Sequence, residues 1–252
     1  MVLLVGAVLL LRTFSNLTGL RPGFDPDNLV TAKISLDDAR YSTTENVTRL
    51  YEESVRRMRA IPGVENAAVA LTLPYERALN IGFTRPGKPQ FQQINACYIS
   101  GDYFETLRIP LLRGRLFDSR DKIDSAKVVL VNEAFAKRFF PEQDPVGSHI
   151  RFSNAERQIV GVTGDVQQKA GWGNFGPITA VPQAFIPAAQ VESRALRLFH
   201  TWFPPTWIVR THGTQSALIA AMQQAIQSID PQLPFAGFQS MQAVRSNAIA
   251  QQ

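Results

Sequence analysis

Residues 29–73, LVTAKISLDDARYSTTENVTRLYEESVRRMRAIPGVENAAVALTL, decide the fold class. Val30, Ala32, Ile34 and Leu36 alternate with Thr31, Lys33 and Ser35, and a period of two is that of a half-buried strand. Ser42-Thr43-Thr44-Glu45 has the form of a capping box, in which a hydroxyl and a carboxylate three residues on satisfy free amides at a helix start. Val47, Leu50, Tyr51, Ser54, Val55 and Met58 then recur at helical spacing and predict the inward stripe. Ile61-Pro62-Gly63 ends that helix. Ala67, Val69, Leu71 and Leu73 alternate as a second strand, so the stretch reads as a β-α-β unit.

A second unit of the same design lies downstream. Trp207 to Thr211 reads as a strand, Leu218, Ile219, Met222, Ala225 and Ile226 mark a helix face, and Leu233 to Phe238 form a closing strand after Asp230-Pro231. Two such units predict a split β-α-β sheet. They are separated by roughly 130 residues, far more than an ordinary connection, so the middle is read as an inserted subdomain. That middle is α+β in character. Gly101 to Leu107 and Glu133 to Phe140 read as helices. Val128 to Val131, the segment of Ile150 and Phe152, Ile159 to Val162, and Ala184 to Ile186 read as strands, with residues 167–206 rich in loop.

Composition narrows the function classes. Twenty-six Lys and Arg against 21 Asp and Glu leave a net charge of +5. The charges are interleaved rather than clustered: Glu52 and Glu53 stand four residues before Arg56 and Arg57, the helical ion-pair spacing. This argues against a nucleic-acid interface. One cysteine, Cys97, excludes an intrachain disulfide and a thiolate zinc cluster. The run Val2 to Leu11, VLLVGAVLLL, is too short to span a bilayer and lacks the basic start and cleavage site of a signal peptide. It is read as the last part of a longer membrane helix, closed by Arg12.

No catalytic constellation is legible. Gly82-Phe83-Thr84-Arg85-Pro86-Gly87-Lys88 resembles a phosphate-binding loop, but Pro89 stands where a magnesium-ligating hydroxyl is required, and the segment is read as a turn. Gly161-Val162-Thr163-Gly164-Asp165 reads as a strand turn or bulge. His149, His200 and His212 have no metal spacing, and Asp37-Asp38, Asp121 and Asp124 sit in turn contexts, where carboxylates bond the local backbone. Catalytic, cofactor and metal residues are therefore expected to be none. Leu196, Leu198, Phe199, Trp202 and Phe203 crowd what reads as a proline-bounded loop, and Leu198, Phe199, Trp202 and Phe203 are candidate partner contacts.

An ordered set of segments carries a family resemblance. It comprises Gly23-Phe24-Asp25-Pro26-Asp27-Asn28-Leu29, Ile61-Pro62-Gly63-Val64-Glu65, Tyr103-Phe104-Glu105-Thr106-Leu107-Arg108-Ile109-Pro110-Leu111-Leu112-Arg113-Gly114-Arg115, Val131-Asn132-Glu133-Ala134, Phe140-Pro141, Asp144-Pro145-Val146-Gly147 and Ile159-Val160-Gly161-Val162. In this order, from about Leu3 to Gln251, the chain resembles the extracytoplasmic core domain of MacB-type ABC-transporter permeases. The resemblance implies an α+β fold: a porter-like split β-α-β subdomain, residues 18–76 and 206–252, holding an inserted subdomain, residues 77–205, behind a membrane-helix remnant, residues 1–17. It also implies a non-catalytic domain on the periplasmic side of the cell membrane that couples a cytoplasmic ATPase to export or mechanical signalling. Implied partners are that ATPase, a periplasmic adaptor protein and the membrane itself through flanking helices, with an oligomer in the full-length protein. The competing readings are a module that holds a lipid or apolar peptide in a cleft between subdomains, and a soluble enzyme whose titratable groups converge from distant positions.

Overall fold

A computed structural model of the chain describes residues 19–100, 102–152, 155–171, 176–212 and 215–251. The apolar run Val2 to Leu11 and the remnant read over residues 1–17 lie outside the described residues. Among the described residues no helix is long and apolar enough to cross a membrane.

Strands β1 (Leu29–Lys33) and β2 (Val64–Ala70) flank helix α1 (Thr44–Arg59). The N-cap of α1 is Thr43, whose hydroxyl accepts from the Asn46 amide, so the helix starts one residue later than the Ser42-to-Glu45 box predicts. Asn46 occupies the third helical position and lacks the reach-back carboxylate. Every residue of the expected inward stripe is buried. Glu53 binds both Arg56 and Arg57 along the exposed side. Near the other end come β12 (Thr206–Thr211), α5 (Gln215–Gln227), β13 (Ala236–Ser240) and α6 (Met241–Ala250). The closing strand begins three residues later than expected because Leu233 and Phe235 are buried in the loop before it. Helix α6, capped by Ser240, was not legible as a separate element. Strands β2, β12, β1 and β13 lie side by side in that order, all antiparallel. All six residues of β12 are buried because both faces are covered. Trp207 packs edge-on against Tyr51 of α1 and donates to Ser54 Oγ at 2.8 Å, while Arg210 faces the opposite way.

The middle of the chain forms a closed ring of six strands. β4 (Lys88–Ile99) pairs with β3 (Leu79–Arg85), β3 with β7 (His149–Phe152), β7 with β8 (Ala155–Thr163), β8 with β6 (Val128–Asn132), β6 with β11 (Gln183–Pro187), and β11 back to β4. Closure removes unpaired strand edges. Inside, the Phe83 ring meets Phe135 and Phe139 of α3 (Glu133–Phe139) and Phe152 of β7 at centroid distances of 4.9–6.1 Å. The phosphate-loop look-alike is the β3–β4 hairpin: Arg85 pairs with Lys88 across Pro86-Gly87, and Gly87 has a φ of +73°, the Pro-Gly order of a type II turn. The segment at Gly161 is a bulge, since the β6–β8 register skips Val160. β5 (Leu111–Gly114) lies so close over it that a Cβ on Gly161 would stand 2.6 Å from the Arg115 carbonyl. The segment read as loop-rich also carries a small ribbon, β9 (Gln167–Lys169) with β10 (Ile178–Ala180), and a helix, α4 (Ser193–Trp202). Ring and four-stranded sheet meet at one register pair, Ala70 with Ile99, flanked by the bonds Leu71 N–H to Tyr98 O and Ser100 N–H to Val69 O.

Candidate functional site at the Arg210 junction

Arg210 is the most deeply buried charged side chain among the described residues, 1% exposed, and sequence reasoning did not single it out. Its guanidinium donates Nε to the Thr106 carbonyl at 2.7 Å, Nη2 to the Asp25 carbonyl at 2.8 Å, and Nη1 to the Asp27 carbonyl at 2.8 Å and Asp25 Oδ2 at 3.2 Å. Thr106 lies on α2 (Tyr103–Leu107), which ends on Arg108 in the left-handed region, φ 55°. That turn aims Arg108 Nη1 at Asp25 Oδ2, 2.8 Å away, and Nη2 at both oxygens of Glu65, each 3.0 Å away. Glu65 also pairs with His212 Nε2 at 3.1 Å. Burial pushes the Asp25 carboxyl up, but the Asp27 amide and the two arginines outweigh it and hold it below the usual carboxylate range. Burial lowers the Arg210 pKa, yet a guanidinium keeps its charge in proteins.

Three of the segments that carry the family resemblance thus meet in space. Residues 25–28 supply the acceptors, Asp25 N–H bonds Leu107 O at 3.0 Å, and Gly63 O accepts from Thr211 Oγ1 and from the His212 amide. The junction holds no nucleophile beside a base. It is a rivet that fastens the entering chain to the sheet and to α2. Just upstream the chain is strapped to the ribbon: Gln167 N–H donates to Pro22 O at 3.1 Å, and Gln167 Nε2 to Arg21 O at 3.2 Å. Gly23, φ +81°, passes so close that a Cβ would strike the Asp165 carbonyl, which requires glycine on both counts.

Of the candidate partner contacts, Leu198, Phe199 and Trp202 are on a helix, not a loop, and Phe203 caps its end. Leu196, Phe199, His200 and Phe203 recur at i, i+3, i+4 and i+7 and turn inward to differing depths; that spacing was the available signal, obscured by Pro204-Pro205. Leu198 and Trp202 are exposed, 48% and 55%; Phe199 is half-buried against Tyr98, and Phe203 is buried under the Arg77 guanidinium. So the structure divides the four: two face solvent and two face the core. His200 is buried with Nε2 3.3 Å from Tyr51 Oη, and burial pushes its pKa down to about 4.

The remaining chemistry-bearing groups stay apart. His149 is on β7, His200 on α4, and His212 pairs with Glu65. Among the described residues no group of His, Cys, Asp or Glu could hold a metal ion. Cys97 is buried and its thiol is pushed up by burial. Asp38 bonds the Arg40 amide, and Asp121 takes both the Asp118 amide and the Arg115 guanidinium. A cleft of about 640 Å³ opens between Trp202-Phe203-Pro204, residues 71–77, Lys33, Lys169 and α6; its walls mix apolar and cationic side chains.

Comparison with known proteins gives a consistent picture. The family profile described as MacB-like periplasmic core domain matches residues 1–229. Over 115 residues the chain is 25% identical to a macrolide export ATP-binding/permease protein MacB of Mannheimia succiniciproducens, covering 44% of this chain and 18% of that protein. Over 129 residues it is 31% identical to MacB 2 of Aeromonas hydrophila, covering 51% and 18%. The chain therefore spans about a fifth of the length of these relatives. The fold is similar to the periplasmic region of MacB from Actinobacillus actinomycetemcomitans, with a TM-score of 0.57, 12% identity, and coverage of 92% of this chain and 97% of that one. At that identity the likeness speaks for the fold alone.

Proposed function

Because the chain belongs to the MacB-like periplasmic core domain family, we propose that it is the extracytoplasmic part of a cell-membrane ABC-transporter permease and passes motion from a cytoplasmic ATPase to the outer side, with no catalysis of its own. The observation that carries this reading is the Arg210 junction. A helix leaving the membrane before residue 19 would deliver its displacement through Arg21–Asp27, and these residues are bonded at once to β12, to α2 and to the ribbon. Motion of the entering chain would thus reach the four-stranded sheet and the six-stranded ring together. On this reading residues 18–76 with 206–252 and residues 77–205 act as two subdomains hinged at the Ala70–Ile99 pair. Of the two exposed candidates, Leu198, which lies outside the cleft, is the side chain we assign to an adaptor contact.

The test uses the full-length permease with its ATPase in proteoliposomes, with spin labels on introduced surface cysteines at Gln224 and Glu142, one in each subdomain. Within this chain the one native cysteine, Cys97, is buried and out of reach of the label. Nucleotide should shift the label distance in the parent protein. Arg108→Gln, which breaks the exposed ties to Asp25 and Glu65, should reduce that shift while ATP hydrolysis stays within about twofold. A parent domain whose label distance ignores nucleotide would sink the reading.

A further inference from the structure

The cleft beside Trp202 has a chemistry that the coupling role does not use. Arg77 and Lys169 are partners in an isolated parallel bridge, so their side chains leave neighbouring backbone positions in the same direction. Lys169 is 6% exposed, and the partner of its ammonium is a neutral amide, Gln251 Oε1, at 2.8 Å. Arg77 stacks over Phe203 at 5.2 Å, and its buried Nε has no hydrogen-bond partner among the described residues. The one carboxylate in the wall, Glu76, is already taken by Lys33 Nζ at 2.7 Å and by the Leu73 amide at 3.1 Å. Two adjacent cations without a carboxylate, one of them deeply buried, are costly unless an anion joins them. The backbone beside them is tightly constrained. Tyr75 is held at a φ of 67°, unusual for an aromatic residue, with its amide on Gln167 O, and Gln168 Nε2 bonds the Leu73 and Glu76 carbonyls. Above the cations stand Trp202, more than half exposed, and the apolar side of α6, with Val244 and Ala248.

We propose that this cleft binds an anionic amphiphile, with an acidic headgroup such as a phosphate monoester or diester against Arg77 and Lys169 and its apolar body along Trp202 and α6. An apolar ligand alone would leave the cations unpaired, and inorganic phosphate alone would leave Trp202 uncovered. The headgroup chemistry is independent of the coupling role. The membrane as its source is not, because only in that role does a bilayer adjoin residues 19 and 251. The vesicle arm below separates the two.

The 252-residue chain is titrated calorimetrically at low salt with decyl phosphate, decyl phosphocholine and inorganic phosphate. Decyl phosphate should bind at least about tenfold more tightly than either of the others. Arg77→Gln should weaken it about tenfold, the loss of one charge-assisted contact, and Trp202→Ala severalfold, while neither shifts the melting temperature by more than a few degrees. Phosphatidylglycerol vesicles are then compared for the parent chain and Arg77→Gln, so that residues 2–11 contribute equally to both. A drop in vesicle binding with the variant assigns a membrane lipid. Unchanged vesicle binding with intact decyl phosphate binding assigns a free amphiphile. No decyl phosphate binding, equal binding of the phosphocholine, or indifference to Arg77→Gln overturns the proposal.

Discussion

A buried arginine that serves three backbone carbonyls and one carboxylate is hard to replace. Arg210→Met takes the donor from three carbonyls while Asp25 keeps its tie to Arg108, and leaving buried polar groups unpaired costs about 1–3 kcal/mol each, so a loss of about 3–5 kcal/mol is expected. Urea unfolding should show a loss of that size. Arg210→Lys should recover less than half, because one ammonium cannot reach carbonyls on residues 25, 27 and 106 together. A loss under about 1 kcal/mol would mean that the junction is ornamental. His200 makes a separate prediction, this time against pH. The unfolded chain takes up a proton near pH 6.5, the buried imidazole only near 4. Between these values the unfolded state binds more protons, so stability falls as pH falls, by up to about 3 kcal/mol for a shift of this size. Asp25, Asp38 and Glu53 have lowered folded pKa values, so their contributions are lost in the acid range at lower pH. Asp165, raised by burial, works in the opposite direction. The difference between parent and His200→Gln melts across pH 4–6.5 therefore isolates the histidine; parallel curves would show that it is not buried neutral. Neither residue was legible in the sequence. Arg210 follows Trp207-Ile208-Val209 in a fully buried strand, and all its partners are distant in the chain. His200 carries no local mark of burial except its place in the 196–203 spacing.

At the scale of elements, legibility followed local signals. Helix α1 was readable because the Val47-to-Met58 stripe and the hydroxyls at 42–44 are contiguous in sequence; only the register of the cap slipped, since Thr43 rather than Ser42 accepts the amide at the helix start. Helix α3, expected over Glu133 to Phe140, runs over Glu133–Phe139 with Asn132 as its N-cap. The β3–β4 hairpin was reduced to its turn because Gly82 and the Pro86-Gly87 pair break the alternation of Leu79, Ile81 and Phe83. In the fold the exposed Phe91 ring lies over Gly82, where a side chain would otherwise stand. The three-residue strands β9 and β10 are too short for any period to register. The bulge at Gly161 was legible as an irregularity but its purpose was not. Its missing Cβ admits β5, with carbonyls of Arg113 and Arg115 within 2.9 Å of where that atom would be. These are backbone atoms in paired strands and cannot swing away. Gly161→Ala should therefore displace Leu111–Gly114 from β8 and cost at least about 2 kcal/mol, within the usual range for overpacking. Hydrogen exchange should quicken at the Arg115 amide, which bonds Val160 O. Unchanged protection there would show that β5 yields without strain.

Across the whole molecule the two regions near residues 21 and 251 reach the same small ribbon. Pro22 O accepts from the Gln167 amide, and Gln251 Oε1 accepts from Lys169 Nζ, on a three-residue strand that also grips Tyr75 through Gln167 O. Nothing in sequence spacing could place residues 22, 75, 167 and 251 together, because the contact is made by the closing of the ring against the sheet. The arrangement makes the strap at Arg21–Gly23 separable from the rivet at Arg210. Gly23→Ala puts a methyl into the Asp165 carbonyl and opposes a φ of +81°, yet touches none of the bonds Arg210 makes. A substitution of that kind costs more than the roughly 1 kcal/mol by which glycine and alanine usually differ. Hydrogen exchange on the 252-residue chain should then quicken at Gln167 and Tyr75 while amides of β1 and β12 keep their protection. If β1 and β12 open together with Gln167, strap and rivet are one cooperative unit. The entering chain would then drive the sheet and the ring as a single body, and the hinge placed at Ala70 and Ile99 would have no independent motion to serve.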